Sequence, residues 1–401
     1  MRILMLSDVY FPRVNGVSTS IQTFRNAFLA QGHRVTLIAP DYGTPCEDER
    51  DILRIPSRKV IVDPEDRMMH YRALTALADR LRDETYDLLH IHTPFVAHYA
   101  GLALARRLNL PVIESYHTFF EEYLYNYVRW LPRASLRFAA RRFSSRQGNS
   151  VDALVVPSTP MRDVLAGYGV TTPMHIIPTG IDLTGFRQGG EGDFRARHGI
   201  REDQPLLLFV GRAAHEKNIA FLLRMFVQVR KQRPDAVLVL AGEGPAEHSL
   251  KALGEKMGLG NALRFVGYMA RNGELQQAYR SADLFVFASR TETQGLVLLE
   301  SMALGTPVVS TAVMGTRDVL RDGQGCLIAE EEVDDFSAKV LRVINDKALR
   351  EALSQSALRY VEQWSEAARA EDMLGLYARC LHPSSPHPVP GTEPAQESSA
   401  R

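Results

Sequence analysis

The chain has 401 residues, and 47 Lys and Arg balance 47 Asp and Glu for a formal net charge of zero. At roughly 150 residues per domain, with 45% hydrophobic and 23% charged residues, it is a folded globular chain of two large domains or three small ones, not a disordered or fibrous one. Neutrality argues against a bulk nucleic-acid binder, which needs a basic excess. The three scattered cysteines, Cys46, Cys326 and Cys380, argue against a disulfide framework or a structural zinc.

The first apolar run, Ile3 to Leu6, meets Ser7-Asp8 too early for a signal-peptide core of about 7 to 15 residues. No run reaches the roughly 18 to 20 residues of a membrane span. A first β-strand and a reducing cytoplasm are therefore expected. Strands are predicted at 2–7, 34–39, 87–92, 111–116, 153–157 and 175–178, with helices over 18–31, 68–83 and 96–108 between them. After Pro178-Thr179-Gly180-Ile181-Asp182 comes a polar stretch rich in Gly and Arg, where a domain boundary is expected. The alternation then restarts, with strands at 206–211, 236–241, 263–267, 284–288, 307–310 and 325–328 and helices over 219–232, 274–281 and 296–304. This is the pattern of two doubly wound parallel α/β domains, 1–180 and 181–361, facing across a cleft. Residues 382–401, dominated by Pro, Ser, Glu and Gly, predict a disordered tail.

Ligands of such sheets bind outside the carboxyl ends of the strands, so the loops there hold the candidates. Gly16, in Pro12-Arg13-Val14-Asn15-Gly16-Val17, lies where a helix begins and amides favour an anion; it is either a phosphate-approach glycine or a turn glycine. Arg212 and Lys217, in Gly211-Arg212-Ala213-Ala214-His215-Glu216-Lys217, suit a diphosphate or are a solvated pair. In Ser289-Arg290-Thr291-Glu292-Thr293-Gln294-Gly295-Leu296, Glu292 sits at a strand end and Glu300 about two turns into an apolar helix. A carboxylate there needs donors, which sugar hydroxyls would supply; the alternative is an N-cap and a satisfied core Glu. The amides of 293–296 form a second anion nest. His117 follows the fourth strand, as a reacting-centre residue or a structural one. There is no GxGxxG, no GxxxxGK[ST], no Asp-x-Asp pair and no metal-ligand spacing.

These motifs resemble retaining glycosyltransferase family 4, whose fold is GT-B. The resemblance spans about residues 1–380 and runs in order through Phe11 to Val17, the His117 segment, Ile177 to Asp182, Gly211-Arg212 with Lys217, Ala241-Gly242-Glu243-Gly244-Pro245, and Glu292 with Glu300. It implies that Arg212 and Lys217 bind the donor diphosphate with help from the Gly16 amide. Glu292 would contact a hydroxyl of the donor sugar, with Gln294, Gly295 and Leu296 holding sugar and phosphate. Glu300 would take the ribose, Gly267, Tyr268 and Met269 would border the base, and His117 would sit near the transition state. It also implies a last helix within 362–381 that crosses back to the first domain; the missing Asp-x-Asp pair and metal-ligand spacing lead to the expectation of no metal, and no other cofactor is expected.

Within the family, the 291–295 string, the Asn15-Gly16-Val17 loop and the acids and tyrosines of 117–127 are most similar to enzymes that glycosylate diacylglycerol or like lipids from UDP-sugars. Independently, 123–150 carries Arg129, Arg133, Arg137, Arg141, Arg142 and Arg146 interleaved with Trp130, Leu131, Leu136, Phe138 and Phe143. Helical spacing makes this either a basic amphipathic surface for anionic lipid, on the inner face of the cytoplasmic membrane, or a solvated Arg face with its apolar side in the core. The other functions considered are transfer to a polysaccharide or polyprenyl-linked glycan, a non-catalytic nucleotide-sugar binding protein, and an NAD-type dehydrogenase, whose glycine fingerprint is missing.

Overall fold

The computed structural model describes residues 1–43, 51–60, 67–117, 133–190, 192–271 and 273–382. Their first sheet holds β1 (Arg2–Leu6), β2 (Arg34–Pro40) and β3 (Ile52–Ile55). A two-stranded antiparallel hairpin, β4 (Ser57–Lys59) with β5 (Arg67–Met69), stands apart from it. The first sheet continues with β6 (Leu88–Ile91), β7 (Val112–Ser115), β8 (Ala153–Val156) and β9 (Met174–Ile176), in the order β3-β2-β1-β6-β7-β8-β9, all parallel. The second sheet contains β10 (Leu206–Val210), β11 (Val237–Ala241), β12 (Leu263–Gly267), β13 (Leu284–Phe287), β14 (Val308–Ser310) and β15 (Cys326–Ile328), again parallel, in the order β12-β11-β10-β13-β14-β15.

Strands such as Leu88–Ile91, Ala153–Val156 and Leu284–Phe287 are buried along their whole length. Helices covering both faces of a parallel sheet require this, and it is why these segments are continuous apolar runs rather than alternating ones. Each sheet reverses its winding once, between β1 and β6 and between β10 and β13, and the loops of Gly16, of Arg212 with Lys217 and of Glu292 leave the strands at those two points, while His117 follows β7 and Tyr268 follows β12.

The expected helix over 68–83 is not continuous. Met68 and Met69 pair with Ser57 and Arg58 in the hairpin, and the rest divides into Tyr71–Thr75 and Ala78–Arg82. The segment has apolar residues at helical spacing throughout, so the pairing that takes its first residues leaves no mark in the local pattern.

The chain passes between the two sheets twice, and the crossings touch. Ile181 and Ser365 form a parallel bridge, with the Ile181 amide donating to the Trp364 carbonyl (2.9 Å) and the Glu366 amide to the Ile181 carbonyl (3.0 Å). The second crossing leads into the helix Glu366–Leu381, capped by Ser365. Its Ala370, Met373, Leu376 and Tyr377 are buried in one cluster with Ile21, Phe24 and Phe28 of the helix Gly16–Ala30 in the first domain. Gly180 permits the contact, since a Cβ there would lie 2.5 Å from Glu366 Cα and 2.8 Å from the Ser365 carbonyl oxygen. Both obstacles are backbone and cannot swing away. Gly180→Ala is expected to destabilise the protein by about 1–3 kcal/mol, read as a lowered urea midpoint; an unchanged midpoint would show that the crossings can separate freely.

Candidate active site

Two loops of the second domain make one side of the site. After β10, Arg212 is exposed; the single turn His215–Lys217 follows, and the helix Ile219–Gln232 begins after Asn218. After β13 runs Ser289 to Gly295, at whose end the helix Leu296–Ala303 starts. The loops are laced together: the Arg290 amide donates to the Glu216 carbonyl (3.3 Å), while Arg290 Nε and Asn218 Nδ2 both donate to the Glu331 carboxylate (2.8 and 3.1 Å). Lys217 Nζ donates to Glu292 Oε1 in an ion pair whose side chains are 21% and 17% exposed. The structure thus joins the residue expected at the diphosphate to the residue expected at the sugar. Glu292 does not cap the following helix, whose N-cap is Gly295 with no side-chain bond.

Glu300, 3% exposed, has its donors within the protein. Arg271 Nη1 lies 2.5 Å from Oε1, and the Tyr279 hydroxyl donates to Oε2 (3.0 Å). Neither partner figured in the sequence reading, and they make Glu300 the satisfied carboxylate that the sequence left open beside the ligand-hydroxyl reading. A carboxylate accepts more than two bonds, so the Glu300 position retains capacity for a hydroxyl. The adjacent carboxylate raises the Arg271 pKa, and burial pushes the Tyr279 phenol well above its ordinary value. Gly267 ends β12, and Tyr268 and Met269 follow it, with Tyr268 exposed and Met269 buried.

The first domain supplies the facing side. Asn15 caps the helix Gly16–Ala30, accepting from the Ser18 amide (2.9 Å) while Ser18 Oγ accepts from the Asn15 amide (2.9 Å). A Cβ on Gly16 would meet nothing within 4 Å, and its φ is not positive, so neither packing nor a turn demands glycine there. His117 is the end of a column of imidazoles. His90 and His92 rings lie 4.0 Å apart, His92 and His117 stack at 5.8 Å, and His92 Nδ1 is 3.5 Å from His117 Nε2. At the far end, His90 bonds Ser115 Oγ (2.8 Å) and the Tyr377 hydroxyl of the terminal helix (2.5 Å). Beside the column, buried Asp8 accepts from Thr93 Oγ1 (3.0 Å) and from the Ala97 amide (3.0 Å), closing the start of the helix Val96–Leu108.

The two sides meet through the Thr293-Gln294 pair. Thr293 Oγ1 donates to the His117 carbonyl (3.3 Å), and its own carbonyl accepts from Ser158 Oγ (2.7 Å). Gln294 Oε1 accepts from the Thr179 amide (2.8 Å), and Gln294 Nε2 donates to the Thr179 carbonyl (2.7 Å). Gly315 braces this loop from behind: a Cβ there would sit 1.9 Å from the Thr293 carbonyl oxygen. Arg271, Tyr279, Gly315, Asp8 and Tyr377 escaped the sequence reading because each acts through a partner distant in the chain.

The helix Arg133–Gly148 settles which of its faces is free. Leu136, Ala140, Ser144 and Gln147 point into the protein, and Phe143 packs against the first-domain core. Arg137, Arg141, Arg142 and Arg146 are exposed together with Phe138, which is 69% exposed, and the Arg141 guanidinium lies 5.2 Å over the Tyr168 ring. The apolar side is therefore core, and the outward face is basic with one aromatic. Arg129, Trp130 and the side chain of Arg133 lie outside the described residues.

The family described as "Glycosyltransferase Family 4" matches residues 14–184, and that described as "Glycosyl transferases group 1" matches residues 191–360. An alpha-monoglucosyldiacylglycerol synthase of Streptococcus pneumoniae is 35% identical over 77% of this chain and 71% of its own length. The protein of the same description from Acholeplasma laidlawii is 28% identical over 77% and 80%. Among solved structures, a sucrose-phosphate synthase from Thermosynechococcus elongatus superposes with a TM-score of 0.76 at 21% identity, covering 96% of this chain and all of its own.

The buried groups make stability depend on pH. Burial lowers His90 to about 3, His117 to about 4 and His92 well below the usual 6.5, and raises Asp8 to about 7. Near pH 5 the unfolded chain therefore binds close to three more protons at the histidines and about one fewer at Asp8, and the excess at the histidines falls to about half by pH 6.5. Stability from the histidines rises with pH across that window, whereas Asp8 opposes it by favouring the folded state at the acid end. Near pH 5 these groups together make stability rise by roughly 3 kcal/mol per pH unit, for about two protons, and the rise flattens toward pH 6.5. Urea unfolding at pH 5.0 and 6.5 measures it, and His92→Phe is expected to remove about one proton's share of the slope; an unaltered slope would mean that His92 is not buried neutral.

Proposed function

The chain belongs to glycosyltransferase family 4, and on that premise we propose that it transfers a hexosyl group, with retention of anomeric configuration, from a UDP-sugar to a lipid hydroxyl such as that of diacylglycerol. That it is a glycosyltransferase related to glycolipid synthases follows from the family and from its 35% identity to the pneumococcal synthase. The observation that carries the finer reading is the Lys217–Glu292 pair at the start of the helix Leu296–Ala303.

An arriving diphosphate offers Lys217 a more highly charged partner and frees Glu292 to accept from a hydroxyl of the sugar. Arg212 and the amides of Gln294, Gly295 and Leu296 add positive potential where the leaving group departs. The C1–O bond to the diphosphate breaks to an oxocarbenium-like state, and the acceptor oxygen bonds C1 from the same face. The acceptor proton passes to the departing phosphate oxygen. His117, neutral by burial, lines the sugar side as a dipolar hydrogen-bonding group rather than a competing cation. Because this chain's own groups balance the diphosphate charge, the reaction is proposed to need no divalent ion.

The lipid acceptor is supported by the two related alpha-monoglucosyldiacylglycerol synthases and by the arginine face of the helix Arg133–Gly148. Among the described residues no helix is long and apolar enough to cross a membrane. Peripheral binding to the anionic inner face of the cytoplasmic membrane is proposed, with Arg137, Arg141 and Arg142 facing the headgroups and Phe138 inserted between them.

UDP release from UDP-glucose, measured with and without diacylglycerol, tests donor and acceptor together; release unchanged by any lipid would overturn the acceptor. Arg212→Ala and Lys217→Ala are each expected to lower turnover more than tenfold in a folded protein, and EDTA is expected to leave the rate unchanged. Near-normal turnover in either variant would remove that residue from the diphosphate site. Sedimentation with anionic vesicles tests the surface: binding is expected at low ionic strength and should weaken with salt, and absence of binding at every ionic strength would sink the membrane contact.

A further inference from the structure

Gln294 lies in the loop assigned to the donor sugar, yet its side chain is wholly engaged elsewhere. Its amide closes both backbone polar groups of Thr179, accepting from the N–H (2.8 Å) and donating to the C=O (2.7 Å), with both residues 5% exposed. One amide orientation alone satisfies this, because the flipped one sets donor against donor and acceptor against acceptor. Thr179 stands immediately before Gly180 and Ile181, the residues of the first crossing that meet Ser365 and Glu366 of the second. Its hydroxyl lies 2.7 Å from Ser20 Oγ on the helix Gly16–Ala30. One residue is thus held by a first-domain helix, by the second crossing beside it and by the donor loop.

The other members of that loop carry the site. Glu292 pairs with Lys217, Thr293 bonds the His117 carbonyl and Ser158 Oγ, and Gly295 opens the helix whose amides face the phosphate. Three consecutive residues span at most about 7 Å between first and last Cα. A rotation of the domains about 179–181 must therefore carry this loop with it or break two buried hydrogen bonds.

We propose that Gln294 is a positioning residue which locks the donor loop to the interdomain crossing, so that domain closure and the placing of Glu292 and the Gly295 amide are a single event. The proposal rests on the donor-site reading for its catalytic consequence and on geometry alone for the mechanical link. Gln294→Leu removes both bonds at similar volume. Gln294→Glu keeps the acceptor for the Thr179 amide but sets a carboxylate against the Thr179 carbonyl.

The link is read by hydrogen–deuterium exchange over 290–296 in the full chain, in a cycle of Ser20→Ala, Gln294→Leu and the double variant. Ser20→Ala, which loosens Thr179 from the far side, is expected to speed exchange in the donor loop at least threefold, and to add nothing once Gln294 is Leu. No effect of Ser20→Ala on that loop, or equal effects in both backgrounds, would overturn the link. In a wild type that turns over UDP-glucose, Gln294→Leu and Gln294→Glu are expected to lower kcat about tenfold or more while UDP affinity by calorimetry changes less than twofold. Unchanged kcat would overturn the catalytic consequence. A wild type that neither binds nor uses UDP-glucose would instead count against the donor reading, and the exchange cycle still decides the link.

Discussion

Ile181 and Ser365 bridge where the chain leaves the first sheet and where it returns, and the absence of a side chain on Gly180 lets the two crossings lie flush. With both crossings joined, relative movement of the domains is confined to a narrow strip. The carboxyl ends of the two sheets then meet as the His117 and Thr293 loops do, through a backbone carbonyl and a hydroxyl. Site residues drawn from strands more than a hundred positions apart depend on that strip for their registry. This is a hinge in the strict sense, a few backbone positions on which the geometry of everything else turns.

The electrostatics follow a consistent rule. Each carboxylate placed near the proposed donor has a cation already in contact: Lys217 for Glu292, Arg271 for Glu300, Arg290 for Glu331. Burying a charge is tolerable only when it is paired, and such pairing keeps the second-domain loops ordered. The first domain's side of the site is treated differently, since His90, His92 and His117 are held neutral and Asp8 is biased toward its protonated form. One side of the site is ionic and exchangeable, the other dipolar and fixed. The proposed transfer through a cationic transition state would suit such a division, because the leaving anion would find movable cations while the sugar would face none.

Much of this was legible in the sequence. The fully apolar strands announce parallel sheets covered on both faces, and Arg212, Lys217, Glu292 and Gly295 are recognisable by their place after a strand and before a helix. What escaped notice has a common cause. Gln294 and Thr179 are 115 positions apart, and His90 and Tyr377 are 287 apart. Nothing in local periodicity encodes partners at such range. Glu300 illustrates the limit: its need for donors is plain from its apolar neighbours, but the identity of Arg271 and Tyr279 is a matter of packing. The same holds for the helix Arg133–Gly148, where only the core contacts of Leu136 and Phe143 decide that the arginines, and not the apolar stripe, face outward.

The terminal helix has a consequence for how the molecule is made. Ala370, Met373, Leu376 and Tyr377 complete an apolar layer otherwise built from residues near the amino terminus, among them Ile21, Phe24 and Phe28. A ribosome delivers those early residues first, and domains generally begin folding in that order. Until the helix Glu366–Leu381 emerges, the nascent first domain carries an uncovered greasy face and a His90 without its Tyr377 bond. Its maturation therefore waits on the synthesis of that helix, and a chain cut short before residue 370 leaves the first domain's apolar layer unfinished.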